Sequence, residues 1–323
     1  MSRLPTVSEK LFERVAWAAL GVLTLIVFTG AAVRLTGSGL GCPDWPRCQG
    51  GRLTPELDTH GLIEFGNRVL TGVVGLPCLA AFVFALRRCP YRRDLTRIAA
   101  ILPLGVLGQA VIGGMSVWYG LAPGWVMAHY SLSMVLLIAA VALVWRAHYP
   151  PGSRLRSSDR RSVWAVRLLA PLGFVAIVAG TIATAAGPHA GGSGTGDEVV
   201  RLDWHGLETL DWAIKGHARI AALLGVAVLG VWWLVRRRQG DPQTIRALAV
   251  TAGLVGAQGV VGTAQFLLEL PAEIVWVHVV LASLTWIAIV WAVAAAGRLA
   301  TPTAVPSAAA AEPDAAAELS AAR

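Results

Sequence analysis

The chain has 323 residues, of which 55% are hydrophobic and only 14% are charged. Soluble domains usually carry about 25% charged residues, so this deficit is typical of a chain embedded in a bilayer, where ionisable groups are costly. The formal net charge is +8, but the basic residues lie in short loops between apolar runs. We therefore interpret them as topology signals and exclude nucleic acid as a partner.

Eight apolar runs are each long enough to cross the hydrocarbon core, which takes about 20 residues. In chain order they cover 15–35, 63–86, 98–118, 125–145, 163–185, 213–235, 246–267 and 273–297. The first run is too long for the apolar part of a cleavable signal peptide. The sequence therefore predicts an all-α integral membrane protein with eight transmembrane helices, lying as a multi-pass protein in the inner (plasma) membrane among its lipids.

The arginines predict the orientation of the spans. They cluster in the loops that follow spans two, four and six: Arg87, Arg88, Arg92, Arg93, Arg97, then Arg146, Arg154, Arg156, Arg160, Arg161, then Arg236, Arg237, Arg238 and Arg246. Cytoplasmic loops hold the excess of Lys and Arg, so both termini are predicted to be cytoplasmic. Residues 1–14 would form a short N-terminal segment, and 301–323, rich in Ala, Pro and Glu, a disordered tail.

The chain repeats itself with a period of about 150 residues. The repeat aligns Gln109, Gly113 and His129 with Gln258, Gly262 and His278, and it aligns Asn67 with His217. It predicts two four-helix bundles in tandem, 15–150 and 151–300, each able to hold a cofactor between facing helices.

Four histidines open the even-numbered spans on the outer side of the membrane: His60, His129, His217 and His278. A single histidine at a membrane edge is as readily explained by a hydrogen bond to a neighbour or to water. Four at one depth, two in each repeat, favour haem, because imidazole is a common axial ligand of haem iron. Zinc is a weak rival, since no cysteine or carboxylate cluster completes a tetrahedral set.

The two histidine pairs differ in quality. His217 and His278 form a complete pair, whereas the position equivalent to His217 in the first bundle is Asn67, a poor iron ligand. His60 precedes Asn67 by two helical turns on roughly the same face, so it could replace the missing ligand or sit above the site. Such asymmetry suits one bundle that holds a permanent cofactor and another that holds a substrate.

Glu64 shares a helical face with His60 and Asn67 near the outer end of span two. A carboxylate at the membrane edge is a functional candidate. It could accept protons during an oxidation or stabilise positive charge on a carbon being oxidised. The alternative is a structural ion pair with Arg68, four residues further along the helix.

Three arginines lie near the same membrane face: Arg34, Arg68 and Arg219. Because arginine forms bidentate bonds with carboxylates, they are candidates for contacts with haem propionates. Alternatively, they snorkel to the membrane interface.

The loop after span one carries Cys42 and Cys48, with two prolines between them. The charge rule places this loop outside, in a compartment that permits disulfides. We interpret the pair as a structural staple, with a redox-active pair that works by thiol–disulfide exchange as the sharper alternative. The matching loop of the second repeat has no cysteine, so the pair belongs to the first bundle alone.

The run TGSGLGCPDWPRC, the run IEFGNR and the two Gln–His segments resemble the haem A synthase family of CtaA-type cytochrome oxidase assembly proteins, over about residues 15–297. The resemblance implies oxidation of the C8 methyl of haem O to a formyl group through successive hydroxylations, supplying haem A to cytochrome c oxidase. It implies a haem b held by His217 and His278, and a substrate site in the first bundle with Glu64 as the catalytic residue. Haem O synthase and the oxidase assembly machinery are the implied partners.

The chain departs from the family at two points. Many relatives have histidine where this chain has Asn67, and some have a second cysteine pair that is missing here.

The main rival function is a di-haem b electron-transfer protein, which assigns no role to Glu64 and the cysteine loop. A transporter is a further rival, but it would need polar residues near the midplane, where there is little beyond Gln109 and Gln258. Glycine-rich helix faces would allow close packing of a second copy.

Overall fold

Eight long helices make up the regular structure of the residues that the computed structural model describes, 6–154 and 157–299. They are α1 (Glu9–Leu35), α2 (Thr59–Arg87), α3 (Arg93–Trp118), α4 (Pro123–His148), α5 (Arg160–Ala186), α6 (Thr209–Arg237), α7 (Pro242–Leu267) and α8 (Ala272–Ala296), with a 3-10 turn at Gly206–Glu208 before α6. Each is long and apolar enough to cross a membrane. The predicted eight-span all-α fold is therefore confirmed.

Most of the helices extend a few residues beyond the predicted spans, because their ends carry charged and capping residues outside the apolar run. α1 begins at Glu9, inside the segment predicted as the N-terminal extension, 1–14. The predicted tail, 301–323, lies outside the described residues. The orientation of the helices across the membrane stays a prediction.

Side-chain caps set several helix starts. Asp58 accepts a hydrogen bond from the Gly61 N–H at 2.7 Å, and Asp159 accepts one from the Ser162 N–H at 3.2 Å. Such caps satisfy backbone donors that have no partner inside the helix. The bond from Gly61 is also the main reason why the pKa of Asp58 lies below its usual value. The outer start of α2, which carries the candidate site of the first half, is fixed in this way.

The helices form two rings of four. α1, α2, α3 and α4 contact one another in cyclic order, and α5, α6, α7 and α8 do the same. The rings meet where α1 and α4 pack against α8 and where α4 packs against α5. The tandem four-helix bundles expected from the repeat are therefore seen, with α2 and α3 of one bundle and α6 and α7 of the other on the flanks.

Two tryptophans of α8 form hydrogen bonds across the contact between the two bundles. The Trp286 indole N–H donates to the Met134 carbonyl of α4 at 2.8 Å, and Trp286 is almost wholly buried. Nearer the outer side, the Trp276 N–H donates to the Phe28 carbonyl of α1 at 2.9 Å. In an apolar environment each bond satisfies a group that would otherwise be costly to bury. The two bonds therefore fix how far one bundle is shifted along the helix axes relative to the other.

Candidate functional site

The second bundle brings His217 of α6 and His278 of α8 next to each other. Their ring centroids are 6.1 Å apart and their planes are nearly perpendicular, at 81°. Two metal–imidazole bonds of about 2 Å each, together with the distance from each ring centre to its ligating nitrogen, add up to about 6 Å. The spacing therefore fits two imidazoles that bind one metal ion from opposite sides.

A hydrogen bond sets the tautomer of His217. Its Nδ1 donates to the Ala176 carbonyl of α5 at 3.0 Å. A carbonyl can only accept, so Nδ1 carries the proton and Nε2 keeps a free lone pair. Ligand histidines usually have such a partner on the nitrogen that does not bind the metal. The local geometry is that of an imidazole prepared to act as a ligand.

Glycines make room for the candidate histidine rings. A Cβ atom added at Gly180 would lie 3.0 Å from Cε1 of His217, and one at Gly262 would lie 3.2 Å from Cε1 of His278. In the first bundle, Gly113 faces His129 in the same way, with the same 3.2 Å separation. These distances are tighter than ordinary van der Waals contact, so each ring fits against its neighbouring helix only because glycine lacks a side chain.

The first bundle has one such histidine, not two. His129 of α4 lies against α3, where the Gln109 side-chain amide donates to the His129 carbonyl at 3.2 Å and to the Ser133 hydroxyl at 2.8 Å. Asn67 occupies the place that His217 has in the second bundle, and its Oδ1 accepts a hydrogen bond from the Thr29 hydroxyl at 2.8 Å. The chemical difference predicted between the two bundles is therefore present in the folded chain.

Both bundles bury polar atoms that have no partner within the described part of the chain. Four of them lie at equivalent positions of the repeat, Nδ1 of His129 and His278 and Oε1 of Gln109 and Gln258, and the others are Arg88 Nε, Trp232 Nε1 and Gln265 Oε1. A buried polar atom without a hydrogen bond is costly and calls for a reason. A glutamine and a histidine that recur in both halves with unpartnered atoms are what two bundle interiors built to receive a polar or metal-bearing group would show.

His60 lies among the outer loops. Its Nδ1 is 2.8 Å from the Ser38 hydroxyl, and its ring packs against the backbone of Gly194 in the outer loop of the second half. A Cβ atom at Gly194 would overlap that ring. The His60 ring is therefore held between loops of both halves.

Glu64 is buried, and both of its carboxylate oxygens accept hydrogen bonds. Oε2 accepts from the Cys42 backbone N–H at 2.7 Å, and Oε1 accepts from the Arg68 guanidinium, with Nε at 3.1 Å. The ion pair predicted at the i, i+4 spacing is present. It also joins α2 to the cysteine loop.

The cysteine loop is closed by the predicted disulfide between Cys42 and Cys48, which is confirmed. Arg68 fastens this loop by donating to the carbonyls of Cys42, Asp44 and Arg47 at 2.6, 2.9 and 2.8 Å. Trp45 packs its ring on the backbone of Gly114 in α3. The loop therefore covers the outer end of the first bundle from α2 to α3.

The three arginines considered for propionates have different surroundings. Arg68 is engaged by Glu64 and the loop carbonyls, and Arg34 donates to the His189 carbonyl of the second half at 2.9 Å. Arg219 is exposed on α6.

The sequence did not reveal the loop contacts of Arg68 and Arg34, nor the roles of Ser38 and Thr29, because isolated hydroxyl residues give no periodic signal. Thr29 could have been noticed beside Gly30, which matches Gly180 in the repeat.

Residues 13–290 match the family model described as cytochrome oxidase assembly protein. The chain belongs to this family. It is 29% identical to Protoheme IX farnesyltransferase of Thermus thermophilus over 87% of this chain and 48% of that protein. It is 33% identical to Heme A synthase of Lysinibacillus sphaericus over 39% of this chain and 41% of that protein, and 34% identical to Heme A synthase of Listeria welshimeri over 39% and 43%. The chain thus spans about half, or less, of the length of these curated relatives.

Proposed function

We propose that this membrane protein of the cytochrome oxidase assembly family is a haem A synthase. It oxidises the C8 methyl of haem O to a formyl group through hydroxylated intermediates, for cytochrome c oxidase biogenesis in the inner (plasma) membrane. One observation carries the proposal. Two facing histidines lie 6.1 Å apart in the second bundle, whereas the equivalent pair in the first bundle is His129 and Asn67, beneath a loop held by a buried glutamate.

The second bundle is the proposed site of a permanent haem b. His217 and His278 would hold its iron, with Ala176 fixing the tautomer of His217 and glycines leaving space for both rings. When bound, haem b supplies a centre that accepts and releases single electrons. The exposed Arg219 is the proposed contact for a propionate, since its side chain lies on the surface of α6.

The first bundle is the proposed site of the substrate, haem O. His129 would bind the substrate, and the cysteine loop would exclude water from the outer end of the bundle. The resemblance to proteins named Heme A synthase and Protoheme IX farnesyltransferase supports a farnesylated haem as the ligand. A haem O synthase and the oxidase assembly machinery are the proposed partners.

Glu64 is the proposed acid–base residue, because it is the buried carboxylate on the α2 face that also carries Asn67. Its contacts restrict how it can work. Oxidation of a methyl group releases protons, and a carboxylate that accepts one must weaken its bond to Arg68 or to the Cys42 N–H. Proton uptake at Glu64 would therefore loosen the cysteine loop in each cycle. Arg68 would act as a positioning residue for Glu64 rather than as a propionate contact.

A di-haem b electron-transfer protein is the alternative. It requires two complete ligand sets, and Asn67 interrupts the first one. It also leaves the arrangement of Glu64, Arg68 and the disulfide without a task.

The test is expression in a membrane host that makes haem O but no haem A, followed by haem extraction, chromatography and mass detection. Haem A or its hydroxylated precursor is expected with the wild type and not with Glu64→Ala. Glu56→Ala is the matched control, because Glu56 lies in the same outer region but is exposed. If only haem b is recovered from a folded, haem-loaded protein, the di-haem electron carrier becomes the better account.

A further inference from the structure

We propose that the first bundle binds the iron of its haem through His129 alone, and that Asn67 keeps the opposite axial position open for a small ligand. This inference rests on the proposed function, in which a haem enters the first bundle as substrate. It assigns Asn67 a specific role, whereas the sequence analysis identified this position only as one that lacks a histidine.

The repeat identifies the open position. In the second bundle the His217 ring lies over Gly180 of α5. In the first bundle the equivalent glycine, Gly30 of α1, faces the Asn67 side chain, whose Nδ2 is 4.0 Å from the place of a Cβ atom. The same two helix faces thus present an imidazole in one bundle and a shorter amide in the other.

Asn67 is held in a form that does not bind iron. Its Oδ1 accepts the hydrogen bond from the Thr29 hydroxyl, so the amide oxygen is engaged, and the amide nitrogen has no lone pair to offer. Iron in haem prefers imidazole, whereas amide oxygens suit hard cations such as Mg²⁺ and Ca²⁺. What Asn67 can present to the open position is an N–H donor.

His60 is held away from the role of a replacement ligand. Its Nδ1 is paired with Ser38, and its ring is packed against Gly194 between the outer loops of the two halves. The backbone of His60 is itself packed against Gly41 of the cysteine loop. Moving the ring into the bundle would therefore break contacts with loops of both halves.

An open axial position changes what the iron can do. A haem with two histidines is suited to electron transfer, whereas a haem with one histidine can bind a small molecule on its free side, and donors on that side control the outcome. The first bundle would therefore hold a high-spin haem that binds carbon monoxide when reduced. The second would hold a low-spin haem that does not.

The test uses the full chain, purified in detergent and loaded with haem O. Electron paramagnetic resonance of the oxidised protein and carbon monoxide titration of the reduced protein are the readouts. The wild type is expected to show one low-spin and one high-spin haem, with carbon monoxide bound only by the latter. Asn67→His is expected to convert the high-spin signal to low-spin, with loss of carbon monoxide binding. Asn67→Leu, which supplies no ligand, is expected to keep both.

Two histidine variants separate the candidate ligands. His129→Ala is expected to abolish the carbon-monoxide-binding haem, whereas His60→Ala is expected to leave the spin states unchanged. The low-spin haem of the second bundle reports folding in every variant. Two low-spin haems in the wild type, with a high-spin signal that appears only in His60→Ala, would overturn the inference.

The proposed function can fail separately. If haem A is produced while the wild type holds two low-spin haems, the inference is wrong and the function stands. If a carbon-monoxide-binding haem is present on His129 but no haem A forms, the function fails and the ligand assignment stands. A first bundle that takes up no haem at all overturns both.

Discussion

Glu64 and Arg68 form an ion pair, so a substitution of either residue also affects the other. The carboxylate accepts from the Cys42 N–H and from Arg68, and its side chain is only 8% exposed. Removal of one member of a buried ion pair leaves the other charge without compensation, which typically costs 3–5 kcal/mol. Replacement by glutamine keeps an acceptor for the Cys42 N–H, but it removes the charge and turns an NH2 donor towards the Arg68 donors.

The two variants of Glu64 therefore separate structure from chemistry. Glu64→Ala is expected to lower the free energy of unfolding by about 3 kcal/mol, and Glu64→Gln by about 1–2 kcal/mol. Both are expected to abolish haem A formation, since an amide cannot accept a proton at neutral pH. Thermal unfolding in detergent and product analysis on the same preparations measure the two effects. Full activity of Glu64→Gln would show that Glu64 only fastens the loop.

At the level of residues, the candidate side chains in the helices could be found from the repeat, whereas the contacts made by loop residues could not. His278 was recognisable because the equivalent position carries His129, and His217 because it too opens an even-numbered span. The engagement of His60 by Ser38 and the three carbonyl contacts of Arg68 were not. Loop conformation depends on individual turns and long-range contacts, and neither leaves a period in the sequence.

At the level of elements, the cysteine loop depends on Arg68 as well as on its disulfide. Arg68 donates to three carbonyls spread over the loop, which a guanidinium can do because its donors are fixed in a planar fork. Lysine has a single ammonium on a flexible stem and does not match that geometry. The loop should therefore loosen in a lysine variant even while the disulfide remains intact.

Hydrogen–deuterium exchange measures the local stability of the cysteine loop. Arg68→Lys is expected to raise the exchange rate of backbone amides in 42–48 by about tenfold, which corresponds to about 1.4 kcal/mol of local stability. Arg52→Lys is the control, because Arg52 lies next to the loop in an exposed ion pair. Equal exchange in wild type and Arg68→Lys would mean that the disulfide alone orders the loop.

An ion pair joins the start of α5 to the end of α6. Asp159 accepts from Arg238 Nε at 2.7 Å, and this bond is the main reason why its pKa falls to about 2. Because the pKa is lowered in the folded state, the contact stabilises the protein above the ordinary pKa of the carboxyl. That stability is lost as the pH falls through about 4 towards about 2.

Asp159→Asn keeps the cap on the Ser162 N–H and removes the carboxylate oxygen that accepts from Arg238 and from the Ser162 hydroxyl. The variant is expected to unfold at a lower temperature than the wild type at pH 7, and this difference is expected to shrink as the pH falls through about 2. Thermal unfolding across this pH range provides the comparison. A difference that persists unchanged at low pH would assign the effect to lost packing and not to the ion pair.

The helices themselves were the most predictable elements. An apolar run of about 20 residues has few alternatives to a spanning helix, because every backbone group in hydrocarbon must be satisfied internally. The ends were less predictable: α2 begins at Thr59 and α3 at Arg93, each several residues before the apolar run. Capping side chains and charged turns extend a helix beyond the apolar run, so the apolar run alone does not predict where the helix ends.

At the level of the whole molecule, the sequence predicted two bundles but not which faces of them meet. α8 is apolar on nearly all sides, so its pattern does not distinguish a lipid-facing side from one that packs against α1, α4 and α5. Without a hydrophobic driving force in lipid, close packing and hydrogen bonds decide which helices associate. The bonds from Trp276 and Trp286 to carbonyls of the first bundle supply such a preference.

The outer loops add a second set of contacts between the bundles. The Gly39 N–H donates to the Gly191 carbonyl at 2.8 Å, and the Gly194 N–H donates to the Gly37 carbonyl at 3.2 Å. A Cβ atom at Gly37 or Gly39 would clash with the facing loop. These backbone bonds lie at one end of the interface and the tryptophans further along it, so the bundles are held at several levels.

The two bundles are therefore expected to associate even when the chain between them is interrupted. Residues 1–154 and 157–323, co-expressed as separate chains with a tag on one of them, should copurify in mild detergent. The shared interface of α1, α4 and α8 and the loop contacts do not require the connecting peptide. Trp286→Ala combined with Trp276→Ala in the second chain should weaken copurification, because it removes both indole bonds and leaves a cavity in the interface. Halves that separate without these substitutions would mean that the connection between α4 and α5, and not the packed interface, holds the bundles together.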